Sequence, residues 1–474
     1  MNRVDSNGLQ RWLERMLLLL IHFMAWGYVA QIVMRPVEEW PFYFAAISAL
    51  ILALALLCTR GWFRAISAAF LFAGMVILWR NHVPMTDAWR FFGSTTNILT
   101  LLIFAPFFAI PITLGAYHRS ALLIVRGKVH QPHSIYFVLS AFTYLLATLM
   151  NVAAIVASFT TLHHLSRSYP KDVAETINFR AFARGHSLAM IWSPVGAGLG
   201  VALARVPEAD PGTVLAMGFG FSIFMLLLDT WIIKGWSRRH AAAVDLPTSA
   251  ARPQRIAVSH WQHMGVFCGV IVLFVFGVIV LHEWWAMPVI DAVIVLILGV
   301  SLIWALCLKK PKRLWKELKT KSTKGVLGLL PQIMLFISVG FFTQALTVSG
   351  AMESLVQWVT YWSASFGWLL IILIVLLAVV SSQMGLFPAL IIMLLTDLVP
   401  YDAMHLRPEW FVFAVTAASV GGVPASPLTI NVNLVASLMR VDPLQVSRSN
   451  LYFAGIILSS VSLLTIGLSL LFPA

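Results

Sequence analysis

The chain has 474 residues, 60% of them hydrophobic and 11% charged, with a mean hydropathy of +0.87. That is far more apolar surface than a water-soluble core can absorb, and it assigns the chain to the all-α polytopic membrane proteins. The formal net charge of +13 sits in loops between apolar runs, which argues against a nucleic-acid partner and for a lipid bilayer. Cys58, Cys268 and Cys307 all lie inside apolar runs, so neither a disulfide framework nor a zinc site is expected.

In chain order, segment 1–34 ends in the apolar run Met16 to Met34. This run is too long for a signal-peptide core and lacks a small-residue cleavage site, so it is expected to remain as a first transmembrane helix. Residues 35–240 then read as one unit, with spans near 41–58, 64–79 and 96–117. A run over 134–165, too long for one crossing and interrupted at Asn151, predicts a re-entrant hairpin; a broken span over 185–204 and a span near 212–233 follow. A polar linker, 241–261, carries Pro247 and Pro253. Residues 262–474 repeat the order, with spans near 262–282, 287–308 and 325–348 and a long run 367–399 interrupted from Gln383 to Pro388. The unit closes with a broken span 410–439 and a span near 451–472. The expectation is about eleven transmembrane helices plus two re-entrant hairpins.

Topology follows from the bias of Lys and Arg toward the cytoplasm. With the N-terminus inside and each hairpin returning to the side it left, all basic residues except Arg35, Arg80, Arg90, Arg205 and Arg407 fall on the cytoplasmic side. The first hairpin is then cytoplasmic, the second hairpin and the C-terminus lie outside, and the two halves are inverted-topology repeats.

The two broken spans carry the polar chemistry. Ala414 to Leu434 is interrupted by Gly421, Gly422, Pro424 and Pro427, with Ser419, Ser426, Thr429, Asn431 and Asn433 around the break; Ser193 to Gly200 is its counterpart. Irregular backbone at membrane depth survives only inside protein or beside a water-filled cavity. Each break follows an interrupted hairpin run by roughly forty positions, and such pairing in two halves points to a secondary transporter's site. The expected substrate-binding residues are Asn151, Val152 and Ala153 at the first tip and Ser193, Pro194 and Gly196 in the first break. In the second half they are Ser382, Gln383, Gly385, Ser426, Pro427 and Thr429.

Helix N-termini exposed at tips and breaks carry about half a positive charge each and suit a carboxylate. Neutral oxygens of Asn151, Ser193, Ser426 and Asn433 could ligate Na⁺ as a coupling ion; no other cofactor is expected. Arg184, about 13 Å from Ser193 toward the cytoplasm, and His186 are expected in a vestibule that attracts anions. Asp229 is expected to pair locally with Lys234 or snorkel, Glu283 and Asp291 to be solvated, and His22 to be a packing residue. His163 and His164, at the end of the first hairpin, are candidate titrating groups.

The order of span, hairpin, broken span and span, used twice in inverted orientation, resembles the divalent anion/sodium symporter family of the ion transporter superfamily. That family carries a Ser-Asn-Thr signature at each tip. Here Asn151-Val152-Ala153 and Ser382-Gln383-Met384 stand at the tips, and Ser193-Pro194-Val195-Gly196 and Ala425-Ser426-Pro427-Leu428 in the breaks. Thr is missing from both tips, and Gln replaces Asn at the second. The resemblance implies an elevator-type secondary transporter, a homodimer in the bacterial inner membrane. It implies cation-coupled transport of a small carboxylate or dicarboxylate, with no enzymatic activity. The alternative, a membrane-embedded enzyme or flippase for a lipid-linked substrate, would need converging acidic pairs or a His/Asp motif, and no such motif stands out.

Overall fold

The computed structural model describes residues 4–34, 39–117, 120, 123–124, 131–167, 169–240 and 258–472, and every regular element among them is helical. The linker expected over 241–261 lies mostly outside the described residues. The principal helices of the first half are α1 Val4–Val33, α2 Trp40–Cys58, α3 Trp62–Arg80, α4 Thr96–Phe104, α5 Ala109–Gly115, α6 Pro132–Met150, α7 Ala153–Leu162, α8 Lys171–Met190, α9 Ala197–Arg205 and α10 Pro211–His240. Those of the second half are α11 Val258–Trp285, α12 Val289–Cys307, α13 Pro311–Thr320, α14 Leu330–Val348, α15 Ala351–Gln383, α16 Pro388–Leu398, α17 Pro408–Gly421, α18 Ile430–Met439 and α19 Pro443–Leu471. Several begin with proline, whose missing amide costs nothing in the first turn. Asp210 caps α10 by accepting the Thr213 amide at 2.6 Å; hydrogen bonds from Thr213 hold its carboxyl below the ordinary value.

Twelve helices among the described residues are long and apolar enough to cross a membrane, which makes this a multi-pass membrane protein. This set differs from the expected eleven spans. It includes α6 and the Phe366–Gln383 part of α15, which were read as hairpin arms, and leaves out the broken span 185–204, divided between α8 and α9. The returning arms α7 and α16 have ten and eleven residues, about 15 Å of helix against a hydrocarbon core of about 30 Å, so neither can cross. Exposed Phe23, Phe72, Trp231, Leu273 and Leu463 present the apolar surface that lipid requires.

The second tip departs from the expected register. α15 continues through Gln383, and the chain turns at Met384 and Gly385, where φ is +77°. The conformational counterpart of Asn151 (φ +51°) is therefore Gly385. A positive φ costs glycine nothing, and a Cβ there would come within 2.7 Å of the Leu428 Cβ, so the glycine also admits the second break against the tip.

Each hairpin packs beside the first half of its own broken span, α6 on α8 and α15 on α17. Each returning arm crosses to the other half of the chain, with α7 against α18 and α16 against α9. The second crossing is tied by Arg205 and Asp397, Nε to Oδ1 at 3.5 Å. Around these lie α1, α2, α3, α4, α12 and α14, with α3 and α14 in close contact. On the surface α13 packs Leu314 and Leu318 inward and leaves Trp315 exposed beside Lys312, Arg313, Lys316 and Lys319.

Candidate functional site

The two breaks are fastened by matching hydroxyls. Ser193, fully buried, donates to the Thr148 carbonyl at 2.7 Å and accepts the Gly196 amide at 3.2 Å. Ser426, also buried, donates to the Gln383 carbonyl at 3.1 Å and accepts the Leu428 amide at 3.3 Å. Each serine thus satisfies one carbonyl at the end of a hairpin arm and one amide freed by the break, groups that are costly to leave unpaired away from water. Gln383 adds a second tie, its Nε2 donating to the Gly422 carbonyl at 3.0 Å. Ser382 turns back to the Val379 carbonyl at 2.6 Å, and Thr429 bonds the Val423 and Ser426 carbonyls at 3.0 and 2.9 Å.

Between the tips and breaks lies a cavity of about 210 Å³. Four helix N-termini reach its wall: α7 through Asn151 and Val152, α9 through Gly196, Ala197 and Gly198, α16 through Phe387, Pro388 and Ala389, and α18 through Thr429, Ile430 and Asn431. Met190, Val420, Val423, Leu386 and Leu428 supply apolar wall, and Phe63, Pro331 and Gln332 close it from α3 and α14. No Asp, Glu, Lys or Arg is among the lining residues. Across the cavity, His186 Nε2 lies 3.2 Å from Asn151 Oδ1, and its Nδ1 lies 3.3 Å from Asn431 Nδ2. A neutral imidazole carrying its proton on Nε2 satisfies both, donating to Asn151 and accepting from Asn431. One hydrogen-bonded chain therefore links the first tip, α8 and the second break.

The cavity gathers Asn151, Val152, Gly196, Gly385, Thr429 and His186 of the expected residues; Ala153, Ser193, Pro194, Ser382, Gln383, Ser426, Pro427 and Asn433 are not among its lining. Asn433 is exposed, and its amide nitrogen donates to the Pro427 and Thr429 carbonyls. His186 belongs to the cavity wall and not to a vestibule, because α8 runs buried alongside α6 up to the break.

Arg184 requires the larger correction. It is fully buried and pairs with Asp229, Nη1 to Oδ1 at 2.7 Å. Its Nε donates to Asn450 Oδ1 at 2.7 Å and its Nη2 to the Ser449 carbonyl at 2.9 Å, while the Tyr452 hydroxyl also accepts from it. Tyr136 donates to the other Asp229 oxygen. With four of its N–H donors engaged and no exposed surface, the guanidinium is not placed to attract solutes from a vestibule. Asp229, expected to pair with Lys234 or to snorkel, is the buried counter-ion of Arg184. Asp291 likewise is not simply solvated: it accepts the Tyr28 hydroxyl at 2.8 Å beside a second cavity of about 620 Å³ lined from α1, α4, α9, α10, α11 and α12. His22 and His163 bond carbonyls one turn back, those of Leu18 and Phe159.

The fold is one already seen in solved transporters. Over 86% of this chain and 99% of the other, the structure is similar to that titled "Crystal structure of the Alcanivorax borkumensis YdaH transporter reveals an unusual topology", with a TM-score of 0.59 and 13% identity. The similarity to Neisseria gonorrhoeae MtrF, described as illuminating a class of antimetabolite efflux pumps, covers 92% of this chain and 97% of that one, with a TM-score of 0.54 and 11% identity. No family model and no curated protein matches the chain. At such identities the likeness is one of fold. Neither neighbour is named as a divalent anion/sodium symporter, so that resemblance rests on the sequence order and motifs alone.

The serine fastenings lead to a specific expectation. Ser193→Ala and Ser426→Ala should each lower stability by about 0.5–1.5 kcal/mol, the worth of a typical internal hydrogen bond. Thermal unfolding of the purified variants reads this directly. Wild-type stability with abolished ligand binding would instead put the hydroxyls on the ligand.

Proposed function

We propose that the protein is a secondary active transporter that binds a small organic anion, of carboxylate or dicarboxylate type, in the 210 Å³ cavity. The observation that carries this reading is the meeting of four helix N-termini at a wall without a charged side chain. Free N–H groups and partial positive charge favour an anion there, and the absence of a fixed cation lets the site empty again. The two structural neighbours, one named a transporter and one an efflux pump, support the class.

In the finer reading, the protein is a homodimer in the bacterial inner membrane, with the N-terminus cytoplasmic and the C-terminus outside. The hairpin-bearing part moves against α3, α14 and their neighbours to give alternating access. A co-transported cation balances the substrate's charge, which partial charges at helix ends offset incompletely. With no carboxylate at the cavity, Na⁺ is favoured over H⁺. Of the four side chains expected to ligate it, only Asn151 faces the cavity, so its Oδ1 and backbone carbonyls of the tips would hold the ion.

Uptake or efflux of a labelled carboxylate should follow an imposed sodium gradient at equal pH in proteoliposomes. Transport driven fully by a pH gradient without sodium, and not at all by sodium, would refute the coupling and turn attention to His186. Chemical conversion of the anion without accumulation would refute transport and favour the enzyme alternative.

A further inference from the structure

The run Lys309 to Lys324 holds eight Lys and Arg residues against the single acid Glu317, and the cavity between the tips and breaks uses none of them. Most of the run folds as α13, on the surface between α12 and α14, two helices long and apolar enough to cross the membrane. Its start is tied down by Lys310, whose Nζ donates to the Leu114 carbonyl at the end of α5 at 2.7 Å, and one side is held by Leu314 and Leu318, which pack against the core. The opposite side is open. At 3.6 residues per turn, Lys312, Lys316 and Lys319 fall within about 60° of one another, with Trp315 on one flank and Arg313 on the other, and all five side chains are exposed. None of these cations has an ion-pair partner among the described residues. Like charges three and four positions apart on one helix face repel, so the stripe carries a cost that only a counter-charge from outside the fold removes.

Depth decides what that counter-charge is. α12 ends at Cys307 with Leu302, Ile303 and Leu306 exposed, and α14 begins at Leu330, so the chain leaves and re-enters the bilayer on the same face with α13 in between. A helix this basic cannot enter hydrocarbon, and one held by an apolar side at that boundary lies at headgroup level. Indole rings favour the same level, and Trp315 stands exposed beside the lysines. We propose that the Lys312, Lys316 and Lys319 face of α13 is a binding site for an anionic phospholipid of the adjoining leaflet, its phosphate held by the three ammonium groups and its glycerol region against Trp315. A π-helical turn, Lys321–Gly325, and the short helix Val326–Gly328 carry the chain on into α14. The bound lipid therefore fixes α14, and α3 packed against it, at a set depth in the bilayer. The site is independent of what the 210 Å³ cavity holds.

The test titrates the purified full-length protein, in uncharged detergent, with phosphatidylglycerol, phosphatidylcholine or inorganic phosphate. Bound lipid is counted by native mass spectrometry, and thermal unfolding is followed in parallel. Phosphatidylglycerol should bind and raise the unfolding temperature, with phosphatidylcholine roughly tenfold weaker and inorganic phosphate without effect at equal concentration. Each of Lys312→Gln, Lys316→Gln and Lys319→Gln should weaken phosphatidylglycerol about fivefold, the worth of one basic residue at an anionic surface, and the triple variant about a hundredfold. Glutamine forms helix about as well as lysine, so α13 itself should persist. As a control, Lys171→Gln with Arg448→Gln, which removes exposed cations from α8 and α19, should leave the affinity unchanged. Equal binding of the two lipids by wild type would overturn the inference, as would full phosphatidylglycerol affinity in the folded triple variant or an equal loss in the control. Inorganic phosphate reproducing the thermal shift would make the face a free-anion site, and polyglutamate binding more tightly than the lipid would make it a protein-docking surface; either result overturns the inference too.

Discussion

Arg184→Met should destabilise the protein by about 3–5 kcal/mol, the cost of leaving a buried charge without its partner. The substitution strands Asp229 and also opens Asn450 Oδ1, the Ser449 carbonyl and the Tyr452 hydroxyl, all of which now bond the guanidinium. Asp229→Leu should cost a similar amount. The double variant Arg184→Met with Asp229→Leu should recover most of the loss, because a buried ion pair is often worth no more than well-packed apolar groups of similar volume. Thermal unfolding in detergent at low and high salt measures the cycle. The losses should change little with salt, since a pair enclosed in protein is weakly screened. A single-variant loss below 1 kcal/mol, or one that disappears in high salt, would mean that the pair is exposed to water.

His186→Ala should weaken anion binding by tenfold to a hundredfold while changing stability less than Arg184→Met does. Its ring joins Asn151 to Asn431; without it Asn151 Oδ1 loses its partner and Asn431 Nδ2 keeps only the Ser187 hydroxyl at 3.5 Å. Leaving such groups unpaired costs about 1–3 kcal/mol, which is paid mostly in the shape of the cavity when the amides turn to bond elsewhere. Asn151→Ala should reproduce the loss, and the double variant should lose less than the sum, because both substitutions break one chain. Calorimetry with the best-bound of a set of small carboxylic acids decides this. Additive losses would show that the two residues act on separate parts of the ligand.

Much of this architecture could be read in the hydropathy pattern, because apolar runs, their lengths and their Gly-Pro interruptions are local properties. Asn151, Gly196 and Thr429 were found that way, and all three line the cavity. What could not be read depends on which helices touch. The partner of Arg184 stands on α10, 45 positions away, while the sequence pattern offered Lys234 to Asp229 as the nearer choice. The turn at Gly385 was displaced to Gln383 because a polar residue in an apolar run is the louder signal, whereas positive φ is the physical requirement. Gln332 escaped notice for a related reason. One amide near the start of a span is ordinary, and only the packing of α3 and α14 against the tips turns it into cavity wall. The amide at Asn431 was visible as part of the polar cluster after Pro427, but its contact with His186 was not.

The crossing of the returning arms also bears on how the chain is made. The break at Ser193 to Gly196 presents the N-terminus of α9 to a cavity that α14, α16 and α18 of the second half help to wall. Roughly 230 residues separate α9 from α18, so at about 5–20 residues per second the ribosome needs on the order of 10–50 s to supply the missing wall. During that interval the first half sits in the bilayer with its free amides unmatched and α7 without its contact to α18. A nascent chain in this state is a natural substrate for an insertase or a membrane protease.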